Sequence, residues 1–169
     1  VAARLKQPSP AHLEEATMKN PSAIVIGSDH AAFPLKERIE QELVRLGFQV
    51  EDVGTHGTAS CDYPTFGQAV ARRVASGEFD RGILLCGTGL GMSMVANRFP
   101  GVRAALCSEP LSAALSRRHN DANVLVMGGR MIGEAMALEI VQVWLRTNFE
   151  GDRHQRRIGM FDRVPPAAE

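Results

Sequence analysis

An alternation of short apolar runs with helix-patterned segments, sustained from Ala23 to Phe149, narrows the possible folds more than any other feature of this chain. Ala23–Gly27 reads as a buried strand. Pro34 then opens a helix with Leu35, Ile39, Leu43 and Leu46 on one face, and Gly47 stops it. Gln49–Val53 reads as the second strand. Pro64 opens the next helix, with Phe66, Val70 and Val74 turned inward. Gly82–Cys86 is a third strand, followed by a Gly-rich turn and a helix over Met92–Arg98. Val102–Cys107 is the fourth strand. Pro110 starts a helix that ends near His119, Val124–Met127 is the fifth strand, and Gly133–Phe149 is the last helix. From Glu150 the chain reads as a polar, basic tail. Five strands alternating with helices predict an α/β fold: a three-layer α/β/α sandwich around a five-stranded parallel sheet.

The length of 169 residues suits one domain with one sizeable core. Residues 1–22 read as an N-terminal extension or a remnant of cloning. Pro8, Pro10 and Pro21 interrupt it, Ser9-Pro10 could cap a short helix through Glu15, and Met18 is a candidate natural start. Residues 23–164 form the expected domain, and 165–169 a C-terminal tail. The net charge is zero, which removes the bulk electrostatic case for nucleic acid or membrane surfaces. No apolar run approaches a membrane span, and the N-terminus lacks the apolar core of a secretory signal. Cys61, Cys86 and Cys107 cannot all pair within one chain and form no Cys-x-x-Cys motif, so free thiols in a reducing cytoplasm are expected.

Parallel sheets bind ligands beyond the carboxyl ends of their strands. There the sequence places Ser28-Asp29-His30, Cys86-Gly87-Thr88-Gly89-Leu90-Gly91 and Gly128-Gly129-Arg130. Gly87, Gly89 and Gly91 let backbone approach a ligand and present N–H groups to an anion. No Lys follows for a Walker-type loop. A Gly-x-Gly-x-Gly spacing after the third strand is a poor dinucleotide fingerprint, although Glu109 ends the next strand, the place a dinucleotide fold gives to a ribose-binding acid. An oxyanion hole is the third reading. Cys86, before this turn, is either a small core residue or an activated thiol.

His119-Asn120-Asp121-Ala122-Asn123 is either a polar helix end or an acid–base group with its neighbours. Asp29 is either an N-cap or a proton carrier. Arg is far commoner than Lys, which fits a GC-rich genome as well as oxyanion forks. Arg153, Arg156 and Arg157 are either a solvated tail or, with Arg130 and His30, a cluster sized for a dianion. No His-x-x-x-His, Cys-x-x-Cys or dense carboxylate cluster suggests a metal.

Taken together, Ser28-Asp29-His30-Ala31-Ala32, Asp62-Tyr63-Pro64, the Cys86–Gly91 turn, Asn97, His119–Asn123 and Gly151-Asp152-Arg153-His154-Gln155-Arg156-Arg157 resemble ribose-5-phosphate isomerase type B. That family also includes the galactose-6-phosphate isomerase subunits. The motifs run in order from about Ala23 to Val164. The resemblance implies a Rossmann-like fold and an aldose–ketose isomerase that uses neither cofactor nor metal. Cys86 would be the base that moves a proton between C1 and C2. Another branch uses a Glu six positions later, where this chain has Met92. The N–H groups of Gly87, Gly89 and Gly91, with Thr88, would hold the enediolate oxygen. His119 would open the furanose ring, Asp29 would manage protons on the sugar oxygens, and Tyr63 and Asn120 would line the site. His30, Arg130, Arg153 and Arg157 would bind phosphate. The site would be shared across a homodimer, or a dimer of dimers. Ala32 departs from the Gly that many members carry. Isomerisation of another sugar phosphate, and non-catalytic binding of a phosphosugar or a dinucleotide, are the competing readings.

Overall fold

The computed structural model describes residues 23–161. The expectations for the leader, including the Ser9-Pro10 cap and Met18, and for residues 162–169 lie outside the described residues. The elements in chain order are β1 (Ile24–Ser28), a 3-10 turn (His30–Ala32), α1 (Phe33–Arg45), β2 (Val50–Asp52), α2 (Tyr63–Ala75) and β3 (Arg81–Cys86). They continue with α3 (Leu90–Ala96), β4 (Ala104–Leu106), α4 (Pro110–Asn120), β5 (Val124–Gly128), α5 (Glu134–Arg146) and α6 (Asp152–Ile158). All strand pairs are parallel, in the order β2-β1-β3-β5-β4.

Side chains alternate between the two faces of the sheet, as the two-residue strand period requires. Ile24, Ile26, Ile83, Leu85, Leu125 and Met127 pack under α1, α4 and α5 with Ile39, Leu43, Ala113, Ile140 and Trp144. Val25, Leu84, Cys86, Val124 and Val126 face α2 and α3 with Val70, Val74, Met92 and Ala96. Both faces are covered, which explains why the three central strands read as unbroken apolar runs. The two edge strands are shorter than their sequence suggests, because each pairs on one side only. The outer side of β4 is instead met by the Asn97 amide, which donates to the Ala104 carbonyl and accepts from the Ala104 N–H, both at 2.9 Å.

Right-handed crossovers send the helix after each strand to a face set by the direction of travel. From β1 to β2 and from β4 to β5 the chain moves one way, so α1 and α4 share a face. From β2 to β3 and from β3 to β4 it moves the other way, so α2 and α3 cover the opposite face. The segment leaving β3 therefore departs from those leaving β1 and β5 on either side. A crevice opens at the end of β3, where Cys86 stands.

The last helix expected from sequence runs to Phe149 but ends at Arg146. Thr147 is extended and its hydroxyl donates back to the Val143 carbonyl at 2.6 Å. The polar tail expected from Glu150 is corrected: it forms α6, which buries His154 and Ile158. Seven residues are too few for a stable isolated helix, so α6 depends on that docking.

Candidate active site

The crevice gathers three loops. Asp29 accepts from the N–H groups of Ala31 at 3.0 Å and Ala32 at 3.3 Å with one oxygen, and so caps the turn that carries His30. His30 Nδ1 accepts the Cys61 backbone N–H at 3.2 Å. In the neutral ring this leaves the proton on Nε2, which becomes the available donor. Cys61 had no role in the sequence reading. Its contribution comes from a backbone group, which no side-chain pattern announces.

Cys86 ends β3 with its side chain buried, and its Sγ accepts the Gly89 N–H at 3.1 Å. Gly89 adopts φ +79°, a conformation that glycine adopts without strain, and a Cβ there would fall 2.4 Å from Leu106 Cδ1. Tyr63, the first residue of α2, packs directly against Gly91: a Cβ at Gly91 would sit 2.5 Å from the Tyr63 ring. Thr88 is exposed, and its Oγ1 accepts the Leu90 N–H at 3.3 Å. The loop after β5 is bonded to the same turn. Gly129 N donates to the Cys86 carbonyl at 2.8 Å and Arg130 N to the Gly87 carbonyl at 3.0 Å. The Arg130 side chain passes over Gly87, within 3.6 Å of where a Cβ would stand. Gly129 also lets two loops touch, since a Cβ on it would fall 2.8 Å from the Cβ of Ala32.

Asp29, His30, Tyr63, Cys86, Gly87, Thr88, Gly89, Gly91 and Arg130 thus share the carboxyl edge of the sheet. His119, Asn120, Arg153 and Arg157 do not. Helix α4 leaves that edge at Pro110 and runs back, so its final residues, His119 and Asn120, lie at the amino edge. There Arg103, the residue before β4, donates through Nε to the Asn120 and Asp121 carbonyls at 3.0 Å. Helix α5 also runs back, delivering Glu150 and α6 to the same edge, and Glu150 N donates to the Arg118 carbonyl at 3.0 Å. Eleven residues of helix separate the ends of α4 by about 16 Å. One chain therefore carries two half-sites on opposite edges, and the five-residue basic cluster suggested by sequence is split between them.

The amino-edge group has its own organisation. The His119 and His154 rings stack with centroids 4.3 Å apart and 10° between planes. Glu150 Oε2 lies 3.9 Å from His119 Nε2 and 3.7 Å from His154 Nε2. Arg153 Nε donates to His154 Nε2 at 3.4 Å. His119, Glu150 and His154 are metal-ligand types with donor atoms within 4.8 Å of one another. Stacked parallel rings, however, do not aim their in-plane lone pairs at a common point, and Arg153 already occupies that of His154. Sequence reasoning passed over Glu150 and His154; a carboxylate four residues before an imidazole was the signal.

Burial, with the nearby His119 and Arg153, holds the His154 imidazole below its ordinary value near 6.5. An unfolded chain then binds a proton more readily than the folded one as pH falls below about 6.5, so stability declines until the lower folded value is passed. Protection of the α6 amides, taken as exchange relative to the intrinsic rate at each pH, should therefore fall from pH 7.5 to 5.5, and less so in His154→Gln. The facing groups are His119, Glu150, Arg153 and Arg157. An α6 exchange rate with no pH response beyond the intrinsic one would contradict this.

Among the described residues, no helix is long and apolar enough to cross a membrane. The profile of the Ribose/Galactose Isomerase family matches residues 24–161. Ribose-5-phosphate isomerase B of Escherichia coli strain K12 is 51% identical over 135 residues, 80% of this chain and 91% of that protein. The crystal structure of a ribose 5-phosphate isomerase from Thermotoga maritima superposes with TM-score 0.83 at 52% identity, covering 85% of this chain and 99% of that one. The Mycoplasma genitalium ribose-5-phosphate isomerase B, solved with bound ribulose-5-phosphate, gives TM-score 0.81 at 43% identity over 83% of this chain and 94% of that one. With a matching profile across the whole described region, and this Rossmann-like sheet beneath it, the chain belongs to the ribose/galactose isomerase family.

Proposed function

We propose that this protein is an aldose–ketose isomerase that interconverts ribose 5-phosphate and ribulose 5-phosphate, with each site completed by a second copy of the chain. The observation that carries the chemistry is the Cys86 sulfur in the crevice, hydrogen-bonded to Gly89 and followed by a turn built from glycine. A C–H beside a carbonyl is a weak acid, so its removal needs a shielded base and donors for the oxygen that gains charge. The Cys86 thiolate removes the proton from C2 of the open-chain aldose. The electrons move through C1, and O1 becomes the enediolate oxygen, held by the Thr88 hydroxyl and by those N–H groups of the Gly87–Gly91 turn that Cys86 and Thr88 leave free. Return of the proton to C1, with transfer of the O2 proton to O1 through Asp29, gives the ketose. Tyr63 flanks the sugar on one side and Asn120 of the second copy on the other. His30, through Nε2–H, and Arg130 hold the phosphate from the carboxyl edge, with Arg153 and Arg157 of a second copy on its far side. His119 of that copy opens the furanose ring.

A second copy is supported by the exposed apolar residues that run from α3 to α4 through β4. Leu90 is 52% exposed, Met94 65%, Leu106 38% and Leu111 63%, a surface that association would cover. The separation of the two half-sites supports it equally. Cys61, Cys86 and Cys107 are all unpaired, which fits a reducing cytoplasm.

The direct test is a panel of four-, five- and six-carbon aldose phosphates with purified protein. The highest kcat/KM is expected for ribose 5-phosphate, and a six-carbon substrate preferred tenfold would reassign the sugar. Arg157→Ala should lower kcat/KM for ribose 5-phosphate roughly ten- to a hundredfold, the loss of one charge-assisted contact. It should reduce discrimination against unphosphorylated ribose in proportion. An unchanged ratio would return this residue to a solvated helix face.

A further inference from the structure

We propose that His154 is a positioning residue that joins the ring-opening imidazole of His119 to the phosphate fork of Arg153. The inference rests on the roles proposed above for those two residues, and assigns the side chain between them. His154 is 6% exposed, while His119 and Arg153 on either side of it reach solvent. One of its faces carries the His119 ring, stacked at 4.3 Å. Its Nε2 receives the Arg153 Nε–H at 3.4 Å.

The choice of side chain has a physical reason. A guanidinium that must grip phosphate needs its outer N–H groups free and its charge intact. A carboxylate partner would orient it but cancel the charge. A neutral imidazole orients it through Nε alone and cancels nothing, and His154 is Arg153's only hydrogen-bond partner among the described residues. Burial keeps this ring neutral, with its lone pair available. The same ring fixes the plane of His119, which stands at a helix end with a partly exposed side chain and would otherwise rotate. Glu150, 3.7–3.9 Å from both Nε2 atoms, faces the pair from the turn before α6. Arg157 and Arg118 complete the charged surroundings.

Two substitutions separate the two contacts. His154→Phe keeps a flat ring against His119 and removes the acceptor. His154→Gln keeps an acceptor and removes the ring. Two ratios of kcat/KM are read: ribose 5-phosphate over ribose, which reports phosphate recognition, and five-carbon over four-carbon aldose phosphate, which reports ring opening. A four-carbon aldose 4-phosphate has no free hydroxyl placed to close a furanose. His154→Phe should lower the first ratio about tenfold and leave the second within about twofold. His154→Gln should do the reverse, lowering the second about tenfold or more. Any other pattern, including both ratios moving together in both variants, overturns the proposal.

If either variant fails to fold, wild-type protein decides. Saturating inorganic phosphate should shift the ring nitrogen resonances of His154 together with those of His119, and a shift confined to neither or only one ring overturns the link. A wild-type protein that turns over no aldose phosphate would sink the functional reading, with the resonance measurement still deciding this one. Normal wild-type turnover with unsplit ratios sinks this inference alone.

Discussion

Cys86→Ala is expected to lower kcat for ribose 5-phosphate by about a hundredfold to ten-thousandfold, the range over which a positioned acid–base group contributes. Nothing nearby can take over. Met92, six residues on, is fully buried, and its Sδ would lie 3.1 Å from a Cβ at Gly67, so it belongs to the core beneath α2. The variant should fold, because an alanine removes one atom from a site that is small and already lined by Val and Met. Cys86→Ser is the sharper comparison. It preserves size and a hydrogen-bonding atom, yet a hydroxyl is a far weaker acid than a thiol, so it should be nearly as inactive. The measurement pairs turnover with solvent deuterium exchange at C2, since exchange reports proton removal even when product does not accumulate. Near-normal values for both would remove Cys86 as the base.

Mixing two dead proteins should restore activity. Cys86→Ala disables the carboxyl-edge half-site, and His119→Asn disables the amino-edge half-site. In a two-fold dimer with shared sites, a mixed dimer has one site with both lesions and one with neither. Random assembly after co-expression makes half the dimers mixed, so about one quarter of wild-type activity on ribose 5-phosphate should return. A site confined to one chain predicts no recovery, because every site would then contain a lesion. The experiment is read against each variant alone; mixed dimers isolated through separate tags should carry about half of wild-type activity, against about one quarter for the unfractionated mixture. Recovery no greater than the sum of the two variants would defeat the shared site.

The order of elements was legible because both faces of this sheet are covered: strands such as Ile83–Cys86 then carry apolar residues at every position, and nothing polar interrupts the run. Positions of Asp29, Cys86 and Arg130 followed, since each lies at the carboxyl end of a strand or within two residues of it. The partition of the site was not legible from spacing. His119 and Cys86 are close in motif order, yet a helix running back across the sheet puts them on opposite edges, and only topology states this. Helix α6 was hidden for a different reason. Asp152-Arg153-His154-Gln155-Arg156-Arg157 is polar throughout, and just His154 and Ile158, four residues apart, turn inward. A single buried imidazole leaves almost no hydrophobic period to detect.

The contact between Ala32 and Gly129 makes the tolerance of this junction one-sided. The methyl group at position 32 is accommodated because the facing residue has no side chain at all. The reverse arrangement is closed: a Cβ on Gly129 would stand 2.8 Å from the Ala32 Cβ and also 3.0 Å from its Cα, so trimming position 32 back to glycine would still leave backbone in the way. Gly129→Ala would therefore push the loop bearing Arg130 away from Cys86, whichever small residue stands at position 32. One side of the junction can vary only because the other cannot.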